Sequence, residues 1–206
     1  PLRLHLGSMG VVPSDADVVD SIPPGYFGGN IDNRNIGVGT SLYLPVAEPG
    51  ALFSGGDAHA SQGDSELDGT AIETSITGVF QFVLHKQADL AGSILEGVNY
   101  PLLETPDSWI VHGFTYPNYL EALGEDAQAE IYTVSSLDPA LKDSSAKARD
   151  FLMNGMNLTE DEAFSLITVG TDFAITQVVD GNWGVHGIIP KGIFAEENVK
   201  PMPAAS

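Results

Sequence analysis

At 206 residues, with 43% apolar side chains, the chain has enough material for a packed core, and no apolar run reaches the roughly 18 residues that a membrane-crossing helix needs. Eight basic residues against 28 acidic ones leave a net charge of −20. Such a surface repels phosphate backbones and anionic lipid, which excludes nucleic acid and membrane as partners, whereas a small neutral substrate meets little penalty.

Cysteine is absent, so disulfides, thiolate nucleophiles and cysteine-ligated zinc are excluded together. Residues 1–5, Pro-Leu-Arg-Leu-His, lack the basic-then-apolar-then-small order of a secretory signal, and both features fit a cytoplasmic location. His5, between Leu4 and Leu6, reads as a partly buried ring. Residues 6–13 read as a turn leading into an extended segment. Pro23-Pro24-Gly25 and Gly28-Gly29 exclude regular helix, and the glycine pair lets backbone amides approach a ligand or another segment closely. Asn30 and Asp32 project to one side of an extended backbone; the competing reading is a tight turn with Asn30 left-handed. Tyr26 and Phe27 either line a pocket or pack the core.

Residues 42–46 predict a short strand, with Pro45 marking an edge or bulge. A turn at 48–50 and a second short strand at 51–54 follow. Residues 55–66, Gly-Gly-Asp-Ala-His-Ala-Ser-Gln-Gly-Asp-Ser-Glu, read as a polar, glycine-hinged loop between strands. Asp57 and His59 are two apart, so on an extended backbone both leave the same face and could hold one hard or borderline cation. Asp64 and Glu66 repeat that spacing. Turn chemistry alone explains the same composition. Residues 71–86 predict one or two strands with Gly78 as a bulge.

Residues 108–115 predict a strand, and Asn118 a helix cap. Acids across 121–130 read as a solvated face. The spacing of Ala148, Phe151 and Leu152 predicts a helix over 141–154, closed by Gly155. Thr159-Glu-Asp-Glu162 is a capping box that opens a second helix over 163–169, with Gly170 able to stop it. Asp180-Gly181 between 172–179 and 183–189 predicts a hairpin. His112 and His186 read as packed, hydrogen-bonded strand residues, His85 as surface, and Trp109 and Trp183 as core or subunit contacts. With no internal repeat and no linker, residues 1–195 read as one unit with a helical part at about 118–169, and 196–206 as a loose tail. The fold class expected is mainly β, sandwich-like or jelly-roll-like, with a small α+β part containing two helices and the hairpin.

Three blocks resemble the acetamidase/formamidase family: Leu6-Gly-Ser-Met-Gly-Val-Val-Pro13, Pro23-Pro-Gly-Tyr-Phe-Gly-Gly-Asn-Ile-Asp32 and Gly56-Asp-Ala-His-Ala-Ser-Gln-Gly-Asp-Ser-Glu66. Leu42-Tyr-Leu-Pro-Val46, Gly69-Thr-Ala-Ile-Glu73 and the late helices and strands follow in the family's order. The resemblance implies a β-rich homo-oligomer that hydrolyses short amides to ammonia and the acid. It covers only the later part of the family, which implies a site completed by another polypeptide, such as a companion N-terminal chain from the same precursor, or else a non-catalytic subunit. Ser65 stands where the family usually has glycine.

For that chemistry Asp57 and His59 are the expected metal ligands, with zinc as the ion and calcium as the alternative. Glu66 is the expected general base. Asp64 either orients His59 or adds a ligand. Asn30 and Gln62, each offering donor and acceptor, are expected to bind the substrate amide. A serine mechanism through Ser61 is the competing enzyme reading, although no Gly-x-Ser-x-Gly elbow surrounds it.

Overall fold

The computed structural model describes residues 2–205. Two antiparallel sheets form the frame. The first has the order β2 (Gly28–Asn30), β1 (His5–Gly10), β4 (Ser54–Ser61), β5 (Ile72–Glu73). The second runs β3 (Ser41–Tyr43), β6 (Leu102–Glu104), β7 (Ser108–Phe114), β9 (Gly184–Pro190), β8 (Asp172–Gln177). Among the described residues four α-helices lie between β7 and β8: α1 (Tyr119–Leu123), α2 (Ala127–Val134), α3 (Leu137–Met156) and α4 (Glu160–Gly170). The mainly β class with a helical part is therefore the observed one.

Period-two alternation in the second sheet sorts its side chains into two cores. Leu103 and Ile110 face a cluster with Ile31 and Ile36, next to the first sheet. Leu102, Trp109, Val111 and Ile189 face the other way, onto Ala148, Phe151 and Leu152 of α3 and Ala163 of α4. Trp109 thus packs the core, its ring tilted against those of Phe151 and Phe194. A side chain at Gly113 would meet the Ser144 nitrogen at 2.2 Å, so glycine is what lets α3 lie directly on β7.

The capping box of α4 is present in both directions, and the Asn118 side chain accepts from the Glu121 amide, as the sequence predicts. The β8–β9 hairpin turns through Asp180 and Gly181, with Gly181 at φ 72°. The α3 helix runs past its expected end: Asn157, left-handed at φ 53°, caps it, while Gly155 sits inside the helix against Ile94.

Other expectations are corrected. Residues 51–54 do not form a strand, because Ala51 and Leu52 are left-handed turn residues and pairing begins at Ser54. Residues 6–13 do not open on a turn, since Leu6 through Gly10 lie inside β1. Of residues 71–86 only Ile72 and Glu73 pair. Beyond the Thr74 amide, which donates to the Ala58 carbonyl at 2.9 Å, the rest forms no strand, with Val79 99% and Phe82 70% exposed, and Phe80 and Phe82 resting on Phe53. Strand propensity needs a neighbouring strand to be expressed, and β5 is the edge of its sheet. The tail is tied down rather than loose: the Lys200 amide donates to Gly155 and the Pro201 carbonyl accepts from Ile94.

Candidate active site

Of the stretch expected to be a loop, residues 55–61 lie in the eight-residue strand β4, and only 62–66 form a loop. It pairs with β1 in a register that sets His59 opposite His5 and Ala58 opposite Leu6, while β5 sets Glu73 opposite His59. His5, His59 and Glu73 therefore form one row across three strands. Asp57 and Gly7 belong to the next row, two residues along. The Asp32 amide donates to the Gly7 carbonyl at 3.0 Å, which brings Asp32 to the same place. An alanine Cβ at Gly7 would lie 2.2 Å from Asp57 Oδ2, 2.3 Å from Asp32 Oδ1 and 2.9 Å from His59 Cε1. Gly7 is the floor of a cradle walled by two carboxylates and an imidazole.

His59 is the centre of the cluster and is 1% exposed. Its Nε2 lies 3.1 Å from Asp57 Oδ1 and 3.4 Å from Glu73 Oε1, and its Nδ1 lies 3.7 Å from Asp32 Oδ1. Ligating atoms of Asp57, His59 and Glu73 lie within 4.8 Å of one another, as do those of Asp32, His59 and Glu66. Glu66 arrives from the loop after β4, which is laced to the end of β8: the Ser65 amide donates to Ile175 at 2.9 Å, and Val178 donates back to the Ser65 carbonyl at 3.2 Å. Asp180 enters from the β8–β9 turn, whose shape is held by Gln177 accepting from the amides of Val179 and Asp180.

Electrostatically the site is an acid cluster short of positive charge. Burial pushes the Glu66 carboxyl up to about 7, helped by the Asp180 charge. Burial and the neighbouring acids raise Asp32 and Asp180 as well, so this pair holds a proton that an isolated carboxylate would release. Asp32 Oδ1 and Asp180 Oδ2 are buried and have no hydrogen-bond partner among the described residues. Unpartnered buried oxygens beside an imidazole, over a floor with no side chain, are a donor set that fits a divalent cation.

Strain gathers here too. Asp32 (φ 53°), Asp57 (φ 55°), Ser65 (φ 77°) and Glu66 (φ 43°) are all left-handed non-glycine residues. Asp32, not Asn30, takes the left-handed conformation in its segment. Ser65→Gly is expected to stabilise the chain by about 0.5–1 kcal/mol by relieving its Cβ, read as a higher urea midpoint at unchanged slope.

Of the residues singled out in the sequence, Asp57, His59 and Glu66 converge. Gln62 adjoins them, but its oxygen faces His5 and His59 and its nitrogen donates to the Asp32 carbonyl at 2.7 Å, so its amide is committed inside the protein and not free for a substrate. Asn30 accepts from the Ser8 hydroxyl near the cradle's edge. Asp64 is a correction: it pairs with Arg34 at 2.9 Å, which turns it away from the cluster. Ser61 makes no hydrogen bond to His59, whose ring nitrogens face other groups, so the serine reading has no geometric support among the described residues. His112 and His186 are packed as expected, on the Pro101 carbonyl and the Thr176 hydroxyl. His5, Gly7, Asp32, Glu73 and Asp180 were missed. Asp32 and Glu73 carried a signal, being the final acids of two stretches that carry the family resemblance, 23–32 and 69–73. Asp180 looked only like a turn residue.

A family model described as the Acetamidase/Formamidase family matches residues 15–196. The chain belongs to that family. Over 52 residues it is 44% identical to an acetamidase of Mycolicibacterium smegmatis and 40% identical to a formamidase of Methylophilus methylotrophus; each alignment covers 25% of this chain and 13% of the relative. The crystal structure of an acetamidase from Bacillus halodurans shares the fold, with TM-score 0.69 and 23% identity over 96% of this chain and 57% of that one. An acetamidase from Yersinia enterocolitica gives TM-score 0.67 and 25% identity over 95% of this chain and 51% of that one. The chain thus spans little more than half the length of these solved relatives. Among the described residues no helix is long and apolar enough to cross a membrane.

Proposed function

We propose that the chain carries the cation-holding part of an amidohydrolase site that splits formamide, acetamide or a similar short amide into a carboxylate and ammonia. The observation that carries this reading is the buried His59 whose Nε2 faces Asp57 and Glu73 at 3.1 and 3.4 Å, with Glu66 beside them. His59, Asp57 and Glu73 would hold the cation, with Asp32 adjacent. Zinc suits the mixed nitrogen and oxygen set; calcium is the alternative if more carboxylates join. A cation there supplies Lewis acidity, drawing electron density from a water molecule and from an amide carbonyl.

The chain's own groups do the proton work. Glu66, a buried carboxyl beside His59, is placed to accept a proton from the attacking water and return it to the departing amine. Acidic walls leave a neutral amide unopposed and repel the carboxylate product, which favours its release. Asn30, at the edge with its oxygen accepting from the Ser8 hydroxyl, would offer its amide hydrogens to the substrate carbonyl. The exposed run over residues 79–84 supports association with further protein, a second copy or a companion chain, as part of the working enzyme.

The test pairs metal analysis with ammonia release. Asp57→Ala and His59→Ala are each expected to lose stoichiometric zinc and to lower ammonia production from formamide at least 100-fold. Full metal content and full activity in both variants would overturn the reading.

A further inference from the structure

His5 and Gln62 surround the inner nitrogen of His59 in a way that fixes which of its nitrogens is free. His5 and His59 are both buried, with ring centroids 4.9 Å apart and planes at 85°. His5 Nδ1 lies 2.8 Å from the Arg3 carbonyl, which can only accept, so that nitrogen carries hydrogen. The Gln62 nitrogen donates to the Asp32 carbonyl at 2.7 Å, and this sets the amide so that Oε1 faces both imidazoles, 2.9 Å from His59 Nδ1 and 2.9 Å from His5 Nε2. His59 Nδ1 and His5 Nε2 are themselves 3.1 Å apart.

With its own hydrogen on Nδ1, His5 Nε2 is an acceptor 2.9 Å from the Gln62 oxygen, so a hydrogen on His59 Nδ1 is the one donor that serves both. A neutral His59 with that hydrogen has its lone pair on Nε2, aimed at Asp57 and Glu73. Three acceptors then converge, an arrangement that calls for a positive charge between them, either a second proton on the ring or a metal cation. The opposite tautomer would place a hydrogen on Nε2 and close the site.

The geometry points to His5 and Gln62 as positioning residues: a buried clamp that holds His59 in the tautomer whose Nε2 is free to ligate a cation. This rests on the cation reading above and deepens it, because it assigns the cation to the Asp57, His59 and Glu73 group and gives Gln62 a role other than substrate binding. A ligating imidazole whose other nitrogen is anchored is oriented and made more basic, and loss of such an anchor lowers metal affinity about 10–100-fold.

Two measurements test it. In the zinc-loaded, 15N-histidine-labelled chain, a two-bond 1H–15N correlation spectrum should show His59 protonated on Nδ1 with zinc on Nε2. Gln62→Met and His5→Phe, which keep bulk but remove the acceptor, should each weaken zinc binding about 10–100-fold by calorimetry. In both, the chelated His59 should show mixed tautomers. A spectrum of the unsubstituted chain with zinc on Nδ1 would overturn the clamp without help from any variant. Wild-type affinity and a single tautomer in both variants would also overturn it while leaving the cation reading standing. An unsubstituted chain that binds no zinc would instead remove the cation reading on which the clamp rests.

Discussion

Gly7→Ala is expected to lower zinc affinity more than 100-fold while leaving a folded chain. The added methyl would lie 2.2 and 2.3 Å from carboxylate oxygens of Asp57 and Asp32, distances no pair of non-bonded atoms tolerates. Asp57 is about one-third exposed and can swing outward, but its Oδ1 then leaves His59 Nε2. Asp32 is buried and His59 Cε1 is held at 2.9 Å from the same point, so neither yields easily. Gly7 is not left-handed, so alanine adds no backbone strain and the effect is steric. Overpacking of this kind costs about 1–3 kcal/mol. Calorimetric titration with zinc and a urea unfolding curve read the two consequences separately. Wild-type zinc affinity in a folded Gly7→Ala chain would show that the carboxylates over this glycine play no part in holding the cation.

That glycine illustrates how much of the site was legible in the sequence. The acids and imidazole of residues 55–66 stand out by composition and spacing, and three of them do converge. What the sequence misplaced was the backbone beneath them. Glycine and aspartate advertise turns, yet in this stretch pairing with β1 on one side and with β5 on the other makes a strand. Glycine in a strand weakens it locally, and the cost is carried by the neighbouring ladders. The same pairing explains the missed residues. His5, Gly7 and Glu73 become site residues only because register places them beside His59, and register is a long-range property that no local pattern encodes. Asp180 lies further still, delivered by a hairpin whose existence was readable but whose destination was not. Asp64 failed for the complementary reason: its spacing matched, but Arg34 offered a nearer charge. Helices did better, because caps and heptad-like spacing are local. Even there the length of α3 was set by Asn157 beyond the expected glycine. Residues 71–86 show the limit of propensity: a β-rich composition with no strand available to pair with.

With the cation chelated, stability is expected to fall by about 1–2 kcal/mol between pH 6.5 and 8, and with zinc in excess it is expected to rise over the same interval. Asp32 and Glu66 have folded-state pKa values raised above the ordinary carboxylate range, first by burial and then by neighbouring acids. The native state therefore holds protons that the unfolded chain has already released. That contribution is fully present below the unfolded values and is lost as pH rises through the folded ones. One extra native proton gives a slope of at most about 1.4 kcal/mol per pH unit, and water reaching Asp57 and Glu73, whose side chains are 32% and 51% exposed, screens part of it. The interval starts at 6.5 for a reason. Buried His112 and His186 are held down to about 3 and about 4, chiefly by burial, so they remain neutral in the native state while the unfolded chain takes up protons below 6.5. Their contribution rises with pH up to that point and would mask the carboxylates. Above it the unfolded imidazoles, half protonated at 6.5, still release about one proton between them, an opposing rise of about 0.8 kcal/mol over which the acids set the sign. A bound cation reverses the sign because its ligands bind it deprotonated, so each proton lost from the cluster strengthens the complex and the linkage adds to stability. Urea midpoints at pH 6.5 and 8, with chelator and with zinc, give the four numbers. A chelated chain whose stability rises with pH across this interval would show that the buried acids are not protonated in the native state, and the acid cluster would then need a resident positive charge of another kind.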